Sequence, residues 1–306
     1  MQGALRQLLE GVIDYAGLFP PAKLPMADAV AEYLALEQGP KAWIVDRFVC
    51  SAGRLPELLT ELADHSPDEV SGRQPVRVSV VGTASSDHKH WHSGLEHDFA
   101  AIQAFRKAAE RRAEVEAYEI RIPDHQHLSE YLRNLAPVKD LEVFIELPWA
   151  QEMADSLAIL AETEAFGAKA RTGGLDASAI PSSADLASFI QSCVHLDLTF
   201  KCTAGLHQPL RHFDEGLGTD MHGFLNVLLA TVFADTEDLS RREIEELLDE
   251  KQAQAFDIKD QTIGWGGHTA TMDQIADARQ LFVGFGSCSV EEPLEGLQAW
   301  TKAAAR

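Results

Sequence analysis

The strongest constraint on the fold is a regular alternation of short strand-like runs with amphipathic helical segments along the whole chain. Eight short runs are expected to form strands, and they cover residues 12–15, 42–49, 76–82, 115–122, 141–147, 167–172, 198–203 and 281–285. Strand-then-helix alternation is typical of parallel strands joined by crossover helices. Eight such units predict an α/β fold in which the strands close into a (β/α)8 barrel, the TIM-barrel architecture.

The barrel is expected to form one domain over residues 1–306, with one interruption. Residues 206–279 carry roughly two additional helices between the seventh and eighth strands, one of them charged and near residues 239–253. This helical insertion is expected to project from the C-terminal face as a cover or as an oligomer contact, so a homo-oligomer is among the expected forms. Alternatively, the Gly-rich segment around Trp265 is a strand, which would shift the strand count by one.

Composition limits the partners and the compartment. A formal net charge of −22 opposes binding to nucleic acid and to anionic membranes. The first residues lack a signal-peptide pattern and no apolar run is long enough to span a membrane, so we expect a soluble, cytoplasmic protein. The cysteines form no CxxC pair and lie in apolar stretches, which predicts buried free thiols: Cys50, Cys193, Cys202 and Cys288.

The interior of the predicted barrel is unusually charged. Apolar residues alternate with polar ones along the strands, and the polar set is expected to face inward. That set comprises Arg77, Ser79, Glu119, Arg121, Glu142, Glu146, Lys169, Arg171, Thr199, Lys201 and Thr203. Barrel cores are normally filled with branched apolar side chains, and buried charges are costly unless they are paired or functional. The set is either a structural ion-pair network or a site, and its cations predict an anionic ligand such as a phosphate or carboxylate.

Two lysines fall on neighbouring predicted strands at similar depth, Lys169 and Lys201. Parallel strands lie about 4.8 Å apart, so the two amines could approach closely. At roughly 6 Å and an effective dielectric near 20 their repulsion is about 2–3 kcal/mol, which favours a neutral amine on one of them. A neutral lysine amine attacks carbonyl carbons, so the pair predicts Schiff-base chemistry. The alternative is that each lysine simply pairs with Glu146 or Glu119.

The segments AKARTGG and FKCTAGLH, which contain these lysines, resemble the two lysine strands of the deoxyribose-phosphate aldolase family of class I aldolases. VIDYAGL is similar to the opening strand of that family, and VDRFVCSAGRLPELL to its second strand and helix. VRVSVVG, AYEIRIP and LEVFIELP follow in the order of the third, fourth and fifth strands, and VGFGSCS resembles the Gly-Ser segment of the last strand. The resemblance extends along most of the chain.

The resemblance implies a role for particular residues. Lys169 would form the Schiff base, Lys201 would lower the pKa of that amine, and Asp14 would assist proton transfer. Backbone amides and a hydroxyl that hold a substrate phosphate would come from Gly173, Gly174, Gly205, Gly286 and Ser287. Thr172, Thr203 and His207 stand next to these positions and complete the candidate anion-binding set.

The chain departs from the family pattern at two places. The proton-relay aspartate of the fourth strand falls at Arg121, and Glu119, two residues earlier on the same face, is the candidate substitute. The second lysine strand continues Thr-Ala-Gly-Leu-His in place of a Gly-Gly pair. A barrel that binds sugar phosphates without turnover is therefore one alternative function.

A histidine-rich segment follows the third strand, with the sequence DHKHWH. His88, His90 and His92 are spaced by two, so an extended loop would present them on one side as metal ligands. The alternative to a metal site is a solvated histidine-rich loop. If the histidines do bind a metal, a metal-dependent barrel enzyme becomes an alternative to the aldolase function. Around the insertion, His207, His212, His222 and His268 include candidates for a general acid or base.

The sequence thus favours a class I aldolase-like lyase that acts on a small carbonyl compound bearing a phosphate or carboxylate. Walker, dinucleotide-binding and serine-nucleophile motifs are all missing, which disfavours nucleotide, nicotinamide and serine-hydrolase chemistry. Schiff-base chemistry needs no cofactor, and none is expected.

Overall fold

The computed structural model describes residues 3–65 and 74–304, and eight strands in this part of the chain form one closed parallel barrel. Around the barrel the strands follow chain order from β1 to β7, and the last strand, β13, closes the ring between β7 and β1. They are β1 Ile13–Tyr15, β2 Val45–Ser51, β3 Val76–Val81, β4 Ala113–Arg121, β5 Glu142–Glu146, β6 Phe166–Arg171, β7 Phe200–Thr203 and β13 Phe282–Ser287. The predicted (β/α)8 barrel is confirmed.

Helices follow the barrel strands as the alternation predicts. The helices before the insertion are α1 Ala4–Leu9, α2 Met26–Glu37, α3 Leu55–Glu61, α4 His88–Ala109, α5 Leu128–Asn134, α6 Met153–Ala161 and α7 Ser183–His195. The helices after β7 are α8 Phe224–Glu237, α9 Arg241–Leu248, α10 Met272–Leu281 and α11 Glu291–Ala304. None of the helices in the described ranges is long and apolar enough to cross a membrane. The four cysteines are all buried and free of disulfides, as expected.

The predicted strands match the observed ones to within a few residues at each end, and two of the observed strands begin two or more residues later than predicted. The second strand begins at Val45 and not at residue 42, because residues 39–44 are held in turns by hydrogen bonds such as Ala42 N to Gly39 O at 3.2 Å. The seventh strand begins at Phe200 and not at residue 198. Turn hydrogen bonds of this kind compete with the strand, and apolar alternation alone does not reveal them.

The histidine-rich segment is a helix, so the prediction of an extended loop at His88, His90 and His92 is wrong. Asp87 caps α4, because its carboxylate accepts a hydrogen bond from the backbone N–H of His90 at 2.9 Å. The buried residues of α4 recur at helical spacing: Trp91, Leu95, Asp98, Ile102, Phe105 and Ala109. Ligand spacing on this segment is therefore i, i+4 and not i, i+2.

The insertion between β7 and β13 contains more than helices. Its two extra helices, α8 and α9, match the prediction, and α9 begins at a capping box formed by Ser240 and Glu243. It also contains a hairpin of β8 His212–Asp214 with β9 Thr219–Met221, and a three-stranded sheet of β10 Phe256–Ile258, β11 Thr262–Trp265 and β12 His268–Thr271.

The segment around Trp265 is indeed a strand, β11, but it does not change the barrel count. It pairs antiparallel with β10 and β12 in a sheet separate from the barrel. Gly266 and Gly267 connect β11 to β12 with φ of +58° and +92°, and this two-residue turn needs positive φ at both positions. Gly266 and Gly267 therefore form the turn of the hairpin between β11 and β12.

The described chain divides into two compact units, one of residues 13–169 and one of residues 3–12 with 170–304. The first unit contains β1 to β5, most of β6, and α2 to α6. The second contains the end of β6, β7, the insertion and β13.

A buried carboxylate joins three elements of the first unit. Asp98 of α4 accepts hydrogen bonds from Thr83 N at 2.7 Å, Thr83 Oγ1 at 2.8 Å and Tyr118 OH at 2.8 Å. Burial, together with the adjacent Asp98 carboxylate, raises the pKa of Tyr118, so its hydroxyl stays a donor. Asp98 thereby fixes the loop after β3 against α4 and β4.

We predict that Asp98→Ala lowers the free energy of unfolding by about 3 kcal/mol, because it leaves buried donors without an acceptor. Urea denaturation measures this loss. Asp140→Ala is the matched control: its exposed carboxylate pairs with Arg106 at 2.7 Å, and its removal should cost less than about 1 kcal/mol. Equal losses in the two variants would contradict the anchoring role.

Candidate functional site

A buried charge cluster lies in the first unit. The Lys169 Nζ atom is 2.9 Å from Glu119 Oε2 and 3.2 Å from Glu146 Oε2. The Ser79 hydroxyl donates to Glu119 Oε1 at 2.5 Å. All four side chains are buried. Lys169 therefore pairs with both carboxylates, as one of the sequence alternatives proposed.

Strand order explains how these side chains meet. Glu119 is on β4 and Lys169 is on β6, with β5 between them. Neighbouring strands are about 4.8 Å apart, so side chains two strands apart can touch only on the concave face of the sheet. The predicted inward orientation of Ser79, Glu119, Glu146 and Lys169 is confirmed by these contacts.

The cluster lies toward the carboxyl ends of its strands. Glu146 is the last residue of β5, while Glu119 and Lys169 are each followed by two further strand residues. Arg121, the last residue of β4, has a half-exposed side chain whose Nε is 3.9 Å from Glu146 Oε1. Barrel enzymes carry their reacting groups at this end of the strands. An amine, two carboxylates and a partly exposed guanidinium can there exchange protons and hold an anion.

A second ion-pair network lies toward the amino ends of the strands in the same unit. From β2, the guanidinium of Arg47 reaches Glu116 of β4 at 2.8 Å and Glu142, the first residue of β5, at 2.9 Å. Burial alone would lower the pKa of Arg47, but the surrounding carboxylates outweigh it and raise that pKa. Asp14 of β1 is buried and accepts a hydrogen bond from the Arg47 backbone N–H at 3.1 Å. Its proposed part in proton transfer stays a prediction.

Arg77 belongs to this amino-terminal network. It is the second residue of β3, and its guanidinium pairs with Asp46 at 2.5 Å and donates to the Asp46 carbonyl at 3.0 Å. The side chain lines a cleft of about 450 Å³ together with the carboxylates of Glu37, Glu114 and Glu116. Surrounded by acids, Arg77 is poorly placed to bind an anionic ligand.

In the second unit, the loops after β6 and β7 touch through their glycines. A Cβ on Gly173 would stand 2.7 Å from the Cα of Gly205, which has φ of +80°. Thr172 fixes this approach, because its backbone N–H donates to Thr203 O at 2.9 Å and its hydroxyl to Ala204 O at 2.6 Å. The structure thus brings together Thr172, Gly173, Thr203 and Gly205, and glycine is required for the close approach.

Other candidates of the second unit have local partners. Thr203 pairs with Gly286 across β7 and β13, while the buried Ser287 hydroxyl donates to Ser289 O at 2.6 Å. A Cβ on Gly174 would stand 2.6 Å from the Ala179 side chain. Ser182 caps α7, because its hydroxyl accepts a hydrogen bond from Asp185 N at 3.1 Å. Whether these groups hold a phosphate stays a prediction.

Three more candidates lie in the second unit. Lys201 is almost fully buried in β7, and Arg171 is half-buried at the end of β6. The Nδ1 atom of His207 lies 3.3 Å from Glu292 Oε2. The effect of Lys201 on the pKa of Lys169 stays a prediction.

Of the histidines around the insertion, His222 is fully buried. Its Nε2 atom lies 2.9 Å from the carbonyl oxygen of Pro181, and its Nδ1 atom lies 2.9 Å from the guanidinium of Arg211. Desolvation lowers the pKa of His222 to about 4. His222 is thus neutral near pH 7, with Nε2–H donating and Nδ1 accepting, and this arrangement fits a structural role better than an acid–base one.

In the first unit, α4 brings two of the three metal candidates together. His88 and His92 are one turn apart, with their Nε2 atoms separated by 3.3 Å, and Glu130 of α5 lies beside both. His90 is 82% exposed and pairs with Asp87. Sequence reasoning missed Glu130, because it lies on the next helix and no spacing rule connects the two segments.

Comparisons with known proteins provide no family for this chain. A scan against protein-family models found no match, and a search of curated proteins found no significant relative.

We predict that His222 lowers the free energy of unfolding of the protein as the pH falls from 6.5 to 4. Its folded pKa of about 4 is below the usual value of 6.5, so only the unfolded chain takes up this proton between those values. Its contribution is complete above pH 6.5 and falls by about 3 kcal/mol as the pH drops to 4. Urea denaturation across this range should show a shallower pH dependence for His222→Gln, whereas His195→Gln, at an exposed helix end, should match the wild type. Parallel profiles for wild type and His222→Gln would contradict the prediction.

Proposed function

We propose that this chain is a class I aldolase-like lyase in which Lys169 forms a Schiff base with a small carbonyl compound bearing an anionic group. The observation that carries the proposal is the buried ammonium of Lys169 between Glu119 and Glu146, near the carboxyl ends of the barrel strands. The resemblance of AKARTGG to a Schiff-base lysine strand supports the same residue. Fold alone is no argument, since (β/α)8 barrels host many reactions.

The first step requires a neutral amine. Lys169 Nζ transfers a proton to one of the two carboxylates, which lie within direct hydrogen-bonding distance. The amine then attacks the carbonyl carbon, and the carbonyl oxygen becomes the hydroxyl of a carbinolamine. The protonated carboxyl group returns its proton to that hydroxyl, which departs as water and leaves an iminium ion.

The second step is cleavage of a carbon–carbon bond. A carboxylate removes the proton of the β-hydroxyl group, the bond between the α and β carbons breaks, and its electrons flow into the iminium to give an enamine and a free aldehyde. The enamine then takes a proton at the α carbon, and water hydrolyses the resulting imine to release the second product. Two carboxylates next to one amine can carry these protons without a cofactor.

The expected substrate is anionic because of Arg121. Its half-exposed guanidinium stands at the end of β4 beside Glu146, where a ligand approaching the cluster would meet it. Guanidinium groups bind carboxylate and phosphate through paired hydrogen bonds. The proton relay assigned to Glu119 in place of an aspartate agrees with its direct contact to Lys169.

A purely structural role explains this cluster less well than it explains the network around Arg47. Buried charges cost stability, and Lys169, Glu119 and Glu146 are all buried. The Arg47 network lies toward the amino ends of the strands, where barrels carry stabilising residues. The Lys169 cluster lies toward the carboxyl ends, where barrel enzymes carry their reacting groups.

We expect small aldehydes, ketones and their phosphorylated forms, incubated with the protein and borohydride, to leave a covalent adduct on Lys169. Intact-mass spectrometry with peptide mapping detects it. Lys169→Arg keeps the positive charge between the carboxylates but forms no imine, so it should fold and carry no adduct at this position. Lys107→Arg, a change on the surface of α4, should label like the wild type.

Two results would overturn the proposal. One is the absence of an adduct with every carbonyl compound in a folded wild-type sample. The other is equal labelling of the wild type and Lys169→Arg, which would mean that surface amines react.

We further predict that Glu146→Gln and Glu119→Gln each slow adduct formation about 100-fold, because each removes a proton acceptor beside Nζ. The time course of labelling before borohydride quenching measures the rate. Glu142→Gln, at the opposite end of the same strand as Glu146, should leave the rate unchanged. Equal rates of adduct formation in all three variants would show that Glu119 and Glu146 do not take part in proton transfer.

A further inference from the structure

Three potential metal ligands converge where α4 meets α5. The Nε2 atoms of His88 and His92 are 3.3 Å apart, and Glu130 Oε1 lies 3.3 Å from the first and 3.2 Å from the second. The three atoms form a nearly equilateral triangle. Each can offer a lone pair toward the centre.

The size of this triangle matches one face of a metal coordination tetrahedron. Zinc binds imidazole nitrogen and carboxylate oxygen at about 2.0–2.1 Å, and tetrahedral angles then separate neighbouring ligand atoms by about 3.3 Å. From this geometry we propose that His88, His92 and Glu130 bind a zinc ion or a similar divalent transition metal. Calcium and magnesium prefer oxygen ligands, so a site with two imidazoles selects against them.

The fold holds the ligands without help from the metal. His88 and His92 are on one face of α4, whose first turn is capped by Asp87. Trp91, between them in sequence, is buried and donates from its indole N–H to the Arg121 carbonyl at 2.9 Å. The start of α4 is thereby tied to the end of β4, which leads directly toward α5 and Glu130.

Aromatic rings surround the ligands on the α5 side. The His127 and Tyr131 rings lie 4.9 and 5.5 Å from the His88 ring, and both residues hydrogen-bond Asp124 at 2.9 Å. These contacts limit movement of His88. Such support from surrounding residues keeps ligands oriented, and its loss commonly costs metal sites 10–100-fold in affinity.

A fourth coordination position remains for water or a small ligand. The three side chains are 30–42% exposed, so water has access to the ligands. Sites with three protein ligands and one exchangeable position are typical of zinc centres that bind or activate small molecules. This site stands independently of the Schiff-base proposal, because it shares no residue with the Lys169 cluster.

The test is Zn²⁺ binding by the full chain, purified without a histidine tag and freed of metal by a chelator. Competition with a chromophoric chelator should show one tight site, and His92→Ala should weaken it about 100-fold or more. His90→Ala is the matched control, because His90 is on the same helix turn but is 82% exposed and outside the triangle. It should retain wild-type affinity, as should Lys169→Arg.

Spectroscopy separates a defined site from loose binding by surface histidines. Co²⁺ added to the metal-free protein should give the visible absorption bands of tetrahedral cobalt, and these bands should disappear in His92→Ala and Glu130→Gln. The proposal is overturned if the wild type binds Zn²⁺ no more tightly than His92→Ala. Equal losses in His90→Ala and His92→Ala would also overturn it, because binding would then be that of exposed histidines.

Discussion

Closure of the barrel is the constraint on which the charged interior depends. On an open sheet, side chains of β4 and β6 would stand roughly two strand spacings apart, about 10 Å, and would reach each other only with difficulty. Curvature of a closed sheet brings them together, which is how Lys169 Nζ comes to 2.9 Å from Glu119. The same curvature lets Arg47 of β2 pair with Glu142 of β5. Pairs of this kind lower the free-energy cost of burying charged side chains inside the barrel.

The charges divide into two groups at opposite ends of the strands. Toward the amino ends, Arg47 joins β2 to β4 and β5, and Arg77 joins β3 to β2, through short ion pairs. Burial, followed by the nearby Asp14, raises the pKa of Asp46 in this network, so some of its carboxylates are costly to keep charged. Toward the carboxyl ends, the buried amine of Lys169 pairs with Glu119 and Glu146, and Arg121 lies beside Glu146. The two groups therefore lie where barrels carry, respectively, stabilising and reacting residues.

The sequence predicts the barrel because its signal repeats eight times, and alternation within a strand orients Ser79, Glu119, Glu146 and Lys169 correctly. Local patterns do not predict long-range partners. Nothing near Arg47 in the sequence points to Glu116, and nothing near His88 points to Glu130. The helix at His88 is not predicted for a different reason. Its signals are the cap at Asp87 and the apolar spacing from Trp91 to Leu95, but the histidines at spacing two favour an extended segment instead. The same residues can therefore fit both a metal-ligand spacing and a helical spacing, and the two spacings predict different local structures.

Trp91 shows how one segment can serve both packing and a site. Its indole is buried against the end of β4 and donates to the carbonyl of Arg121, whose side chain stands beside Glu146. Its neighbours His88 and His92 lie beside it on the same helix turn, next to Glu130. At about 100° per residue, His88 and His92 are displaced by about 60° and 100° from Trp91 around the helix axis, so the tryptophan anchors α4 while the imidazoles remain partly exposed. The packing of Trp91 therefore contributes both to the backbone position of Arg121 and to the placement of the helix turn that carries the two histidines.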